Sequence, residues 1–208
     1  MYKKARLFIV SILYKIPFTK QYAYRRLPRH HAGYKEYWVH QGGAHYRSAT
    51  LKRDQDISAM RRYPSPEELR NRIAVYSPSN VLDVGCGYGK YLEILKPHFS
   101  VEGCDVSQEL LRNVRSDLQS SVFCLDIVHP PAGWITEHRK HWDVVFSWCV
   151  MMYFIDQRAE MMHAMKHMEA IANKKVLVWE WKHVCDYMKS VYPSDKFEYH
   201  YIPVTAAA

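Results

Sequence analysis

Val81-Leu82-Asp83-Val84-Gly85-Cys86-Gly87-Tyr88-Gly89 is the stretch on which the fold turns. The apolar residues from Val81 to Val84 predict a buried strand, with Asp83 near its carboxyl end. Three alternate glycines then let the backbone turn tightly and approach a ligand with no Cβ in the way. A helix through Tyr91 to Leu95 follows, and its first turn carries N–H groups that suit a carboxylate. A glycine-rich turn alone is weak evidence; a strand before it and a helix after it give it meaning.

Downstream, strands and helices alternate, which predicts a doubly wound α/β domain with a mostly parallel sheet. Ser100 to Cys104 reads as the second strand, ending at Asp105, and Ser107 to Leu118 as a helix with Ser107 as its cap. Val122 to Leu125 is the third strand, ending at Asp126, and Trp142 to Ser147 the fourth. Asp156 to Ala172 is a long helix, Lys175 to Trp181 the fifth strand, and Phe197 to Val204 a final one. Asp83, Asp105 and Asp126 thus fall at carboxyl ends of parallel strands, the edge where open α/β sheets bind ligands. Asp105 comes about 20 residues after the turn, where an acid accepts both hydroxyls of a ribose.

Upstream, Ser65-Pro66-Glu67-Glu68 carries an N-cap serine, a proline at the first helical position and a capping-box glutamate. The helix is expected to run to about Tyr76, with Leu69, Ile73 and Tyr76 on one face. Residues 1–64 show no clean period and predict a basic extension of short helices and loops, with Asp54 to Arg62 helical. Residues 65–208 form the predicted catalytic domain.

These motifs together resemble the class I S-adenosylmethionine-dependent methyltransferases, over about Ser65 to Trp181. Val81 to Gly89 looks like their first motif, and Gly103-Cys104-Asp105-Val106-Ser107 like their second-strand signature. Asp126-Ile127 is similar to the acidic position near the adenine, and Trp142 to Ser147 with the loop to Asp156 resembles the wall of the transfer site. The resemblance implies a Rossmann-like fold, S-adenosyl-L-methionine as donor, S-adenosyl-L-homocysteine as product and no metal. It assigns donor binding to Asp83, Gly85, Cys86, Gly87, Gly89, Asp105, Val106, Asp126, Ile127 and Ser147. Only residues 182–208 follow Trp181, short for the helix and two strands that usually complete this fold, so a shortened end to the sheet is expected.

Rival nucleotide motifs fit less well. A dinucleotide fingerprint places its third glycine at position 90, which here is Lys90, and no G-K-[ST] follows to make a P-loop. Ser147-Trp148-Cys149-Val150 replaces the Asn/Asp-Pro-Pro-aromatic run of enzymes that methylate exocyclic amines. Cys149 lacks the preceding proline of a cytosine-C5 nucleophile.

A hydroxyl acceptor needs a general base. Tyr153, Glu180 and His183 are the candidates, with Trp148, Met152, His45 and Tyr46 as further ones. For each alone a structural role is the commoner one. Glu180, ending an apolar strand between Trp179 and Trp181, is either a base with a raised pKa or a hydrogen-bonded structural group.

The net charge of +8 is uneven. Up to Arg72 there are 16 Lys/Arg against 5 Asp/Glu, and 13 against 16 beyond it. A basic front suits an anionic partner, and a merely solvated basic face is as good a reading. Placed over the sheet edge, Arg25, Arg26, Arg29, Arg47 and Arg53 would favour an anionic acceptor. Leu7 to Tyr14 is too short to span a bilayer, which needs about 20 apolar residues. It reads as a docked helix or, through residues 1–20, as a peripheral membrane contact. Five widely spaced cysteines without a C-x-x-C pair indicate reduced thiols and a cytoplasmic protein, with the inner face of a membrane as a second place.

Three functions compete at this level. The first is methylation, on oxygen, of a small or glycan-type and anionic acceptor. The second is methylation of RNA or another nucleic acid, supported by the basic, aromatic-rich front. The third is a donor-binding relative without catalysis.

Overall fold

The computed structural model describes residues 65–202, together with Trp38. The expected helix at 54–62 and the apolar run at 7–14 lie outside the described residues.

Ser65 opens the first helix, α1 (Pro66–Ala74), by accepting the Glu68 amide on its hydroxyl at 3.1 Å. Six strands follow: β1 (Asn80–Val84), β2 (Ser100–Asp105), β3 (Val122–Cys124), β4 (Trp142–Trp148), β5 (Ala172–Trp181) and β6 (Phe197–Ile202). Between and after them lie α2 (Lys90–Leu95), α3 (Gln108–Leu111), α4 (Trp134–Glu137), α5 (Arg158–Ile171) and α6 (Lys182–Val191). Short 3-10 turns occupy Ser116–Ser121 and Met151–Phe154.

The sheet order is β3-β2-β1-β4-β5-β6, and every pairing is parallel. The order reverses between β1 and β4, so the carboxyl ends of those strands open a crevice for a ligand. Among the described residues, one helix and one strand complete the sheet after β5, and β6 pairs directly and in parallel with it.

Alternation along each strand feeds two cores. Val81, Val144, Phe146, Leu177 and Trp179 pack with Leu69, Ile73, Leu92 and Leu95 on the α1–α2 side. Leu82, Val84, Val145, Val176 and Val178 pack with Met161, Met165, Met168, Val184 and Met188 on the α5–α6 side. Each fully buried aliphatic side chain contributes about 1.5–3 kcal/mol, so both helix layers are held chiefly by burial.

Three expectations needed correction. The helix over Ser107 to Leu118 stops at Leu111, although Leu110, Leu111, Val114 and Leu118 are all buried as expected. Asn113 Nδ2 donates to the Glu109 carbonyl at 2.8 Å, and Gln119 Nε2 donates to the Leu111 and Val114 carbonyls. Those side chains satisfy carbonyls that a continuing helix would have used. β3 is shorter than expected: it ends at Cys124, and the last cross-strand bond is the Leu125 amide donating to the Asp105 carbonyl at 3.0 Å. α6 was not anticipated, yet Val184, Cys185, Met188 and Val191 are buried on one face at helical spacing.

Candidate functional site

Gly85, Gly87 and Gly89 have φ of 81°, 56° and 83°, a left-handed run that side-chain-bearing residues adopt only with strain. The run tucks the turn under the end of β2. The amides of Gly85 and Cys86 both donate to the Cys104 carbonyl, at 2.7 and 3.0 Å. Gly89 N donates to the Cys86 carbonyl, and Gly87 N to Asp105 Oδ2 at 2.9 Å. The turn's amides at these four positions are therefore engaged inside the protein.

The space above the turn is uneven. A Cβ built at Gly87 would meet no atom within 4 Å, whereas one at Gly85 would lie 2.3 Å from Val150 Cγ2. Open room thus stands over Gly87, and the loop after β4 closes over Gly85.

Asp105 is buried, and both its oxygens are held: Oδ2 by Gly87 N and Oδ1 by Ser107 N at 2.8 Å. Burial raises its pKa, and the same backbone amides pull it back. A carboxylate fixed at both oxygens retains lone pairs for two hydroxyls. Asp83 is more deeply buried, and its Oδ2 has no hydrogen-bond partner among the described residues. Burial first, and the neighbouring Asp105 second, hold its carboxyl well above the usual carboxylate range.

Asp126 stands just past β3, its Oδ1 accepting the amides of Val128 and His129 at 3.1 and 3.3 Å. Ile127 beside it is buried, and Val106 is half-buried after β2. Cys86 and Ser147 are buried at the ends of the turn and of β4, the Ser147 hydroxyl without a partner among the described residues.

The acceptor-side candidates are not brought together. Tyr153 lies half-buried in the 3-10 turn Met151–Phe154, where its ring meets the Trp38 ring edge-on at 4.9 Å between centroids. That contact sets Trp38 against the loop after β4. His183 is exposed in the first turn of α6. His45 and Tyr46 lie outside the described residues. Glu180 is fully buried, and its Oε1 accepts the amides of Met151 at 2.6 Å and Met152 at 3.3 Å. Burial pushes its carboxyl up to about 8 despite those amides.

Cys149 sits between β4 and this turn at φ 54°, uncommon for a residue with a side chain, and its amide donates to the Trp179 carbonyl at 3.0 Å. Sequence reasoning missed this anchoring, because its partners are backbone groups. The five cysteines are free thiols; Cys86, Cys104 and Cys185 are buried and Cys124 is exposed. Among the described residues, no group of three or more His, Cys, Asp or Glu is arranged to hold a metal ion, and no helix is long and apolar enough to cross a membrane.

Residues 81–171 match a family model described as a methyltransferase domain. Over 91 residues the chain is 35% identical to a trans-aconitate 2-methyltransferase of Rhodopseudomonas palustris strain HaA2, an alignment covering 36% of each protein. The corresponding protein of strain BisB5 is 32% identical over the same share. The match thus spans about a third of the length of these curated relatives. Among solved structures, an S-adenosylmethionine-dependent methyltransferase from Clostridium acetobutylicum is similar with a TM-score of 0.47 and 21% identity, over 59% of this chain and 51% of that one. The S-adenosylmethionine-bound amino pentose methyltransferase CalS10 from Micromonospora echinaspora gives 0.46 and 24%, over 57% and 51%.

Proposed function

We propose that this chain, which carries a class I S-adenosylmethionine-dependent methyltransferase domain, binds S-adenosyl-L-methionine over its glycine turn and transfers the methyl group to a small, anionic acceptor, on oxygen. The observation that carries the donor reading is Asp105, a buried carboxylate fixed by one amide of the turn and one beyond β2. It would take the two ribose hydroxyls on its remaining lone pairs.

Asp126 would accept from the adenine amino group, with Val106 and Ile127 as apolar walls for the base. Gly85, Cys86, Gly87 and Gly89 would let the donor lie close to the backbone, and the open space at Gly87 fits that use. Asp83, with an unpartnered buried oxygen, suits the cationic end of the donor, and Ser147 lies at the adjoining strand end. When bound, the donor supplies an electrophilic methyl group.

The protein's remaining work is alignment and exclusion of water. Tyr153 is the best placed of the acceptor-side candidates, because it sits in the loop after β4 and meets Trp38. A phenol there would orient an acceptor hydroxyl or carboxylate. His183, exposed on α6, would act only if the acceptor reached that helix.

The anionic acceptor rests on two supports: the basic excess before Arg72, and relatives named for methylating trans-aconitate, a small anion. A glycan-type acid satisfies the same chemistry. The test is to incubate the full chain with methyl-labelled donor and a fractionated cell extract. Label in an anionic small-molecule or glycan fraction is expected. Label in RNA would replace the acceptor class, and tight donor binding with no transfer to any fraction would leave a non-catalytic donor-binding protein.

A further inference from the structure

Glu180, one residue before the end of β5, is a carboxyl group with no access to solvent. Such a group needs a reason, since burying a carboxyl costs free energy unless its oxygens are used. One oxygen is used: Oε1 accepts the Met151 and Met152 amides, at 2.6 and 3.3 Å. These are the opening amides of the 3-10 turn after β4, which would otherwise be orphaned at a buried turn start. The other oxygen, Oε2, has no partner among the described residues.

The turn that Glu180 holds touches both halves of the proposed reaction. Val150, directly before Met151, puts Cγ2 against Gly85, so closely that a Cβ there would lie 2.3 Å away. Tyr153, two residues past Met151, meets Trp38. Cys149 enters the turn at φ 54°, and its amide is taken by the Trp179 carbonyl, the residue before Glu180. A strained entry holds its shape only when its surroundings fix it. The end of β5 thus pins the turn twice, once through the Trp179 backbone and once through the Glu180 side chain.

We infer that Glu180 is a positioning residue for donor binding: by accepting the Met151 and Met152 amides it holds Val150 over Gly85 and keeps the glycine turn in its donor-ready shape. It serves this role through the loop and takes no proton from the acceptor. The inference rests on the donor reading above and adds to it a residue from β5, distant in sequence from the glycine turn.

The test compares wild type, Glu180→Gln, Glu180→Leu and Val150→Ala as full chains, by calorimetric titration with S-adenosyl-L-methionine and by circular dichroism and heat denaturation. Gln keeps an acceptor oxygen for the two amides, whereas Leu removes it. Glu180→Gln should bind within about twofold of wild type, and Glu180→Leu should bind about tenfold more weakly with the fold retained, the loss expected when two buried amides are left without their acceptor. Val150→Ala leaves the buried carboxyl untouched and should weaken binding about threefold, which keeps the test decisive if Glu180→Leu fails to fold. Wild-type affinity in both Glu180→Leu and Val150→Ala would overturn the inference, as would equal loss in Gln and Leu. Absence of binding by the wild type would overturn the donor reading instead.

Discussion

Val150 occupies the place that a side chain on Gly85 would need: its Cγ2 lies 2.3 Å from where that Cβ would be. Two residues on, Gly87 faces open space. The two glycines are therefore required for different reasons, and their alanine variants should part company. Gly87→Ala carries the left-handed backbone cost of about 1–2 kcal/mol, and its new methyl group enters the open space proposed for the donor. Gly85→Ala carries the same cost and must also displace Val150. Chemical denaturation should show Gly85→Ala as the less stable of the two. Titration should show that Gly87→Ala loses donor affinity out of proportion to its stability.

Burial first, and the adjacent Asp105 second, raise the Asp83 carboxyl well above its usual range in the free protein. A cationic ligand beside its unpartnered oxygen opposes that shift and draws the pKa down. Donor binding should therefore release protons at pH values where Asp83 is protonated in the free protein. Titrations in buffers of differing ionisation enthalpy measure the release directly, and it should vanish in Asp83→Asn.

The buried Glu180 sets a pH dependence of stability. Its carboxyl titrates at about 8 in the folded protein against an ordinary 4.5. The folded state thus binds this proton more tightly than the unfolded chain. Its contribution is complete below pH 4.5 and is lost as pH rises to about 8. Glu180→Gln removes that loss. It should melt higher than wild type in mildly alkaline buffer, with the gap closing as pH falls towards 4.5.

Trp38 meets the loop after β4 through the Tyr153 ring. An edge-on aromatic pair contributes about 0.5–1.5 kcal/mol, too little to govern the domain core. Trp38→Ala should leave donor affinity and melting temperature near wild type while lowering transfer to the acceptor. An equal fall in donor affinity would show that the contact serves the donor side.

Much of this was readable from local signals. A strand, three glycines and a helix start predict the turn, and Asp105 was legible because an acid at a strand end needs no distant partner to be noticed. The break after Leu111 was harder, since it depends on Asn113 and Gln119 reaching particular carbonyls. α6 carried a readable period in Val184, Cys185, Met188 and Val191 that went unused. For Glu180 the sequence left a base and a hydrogen-bonded structural group both open. Its partners are backbone amides at Met151 and Met152, which leave no mark in residue type.

The most direct test of the central claim is equilibrium binding of S-adenosyl-L-methionine to the full chain and to its Asp105→Ala variant. One saturable site in the wild type is expected, weakened about tenfold or more in the variant, as loss of hydrogen bonds to a buried carboxylate requires. No saturable binding by the folded wild type, or binding unchanged by Asp105→Ala, would contradict the account.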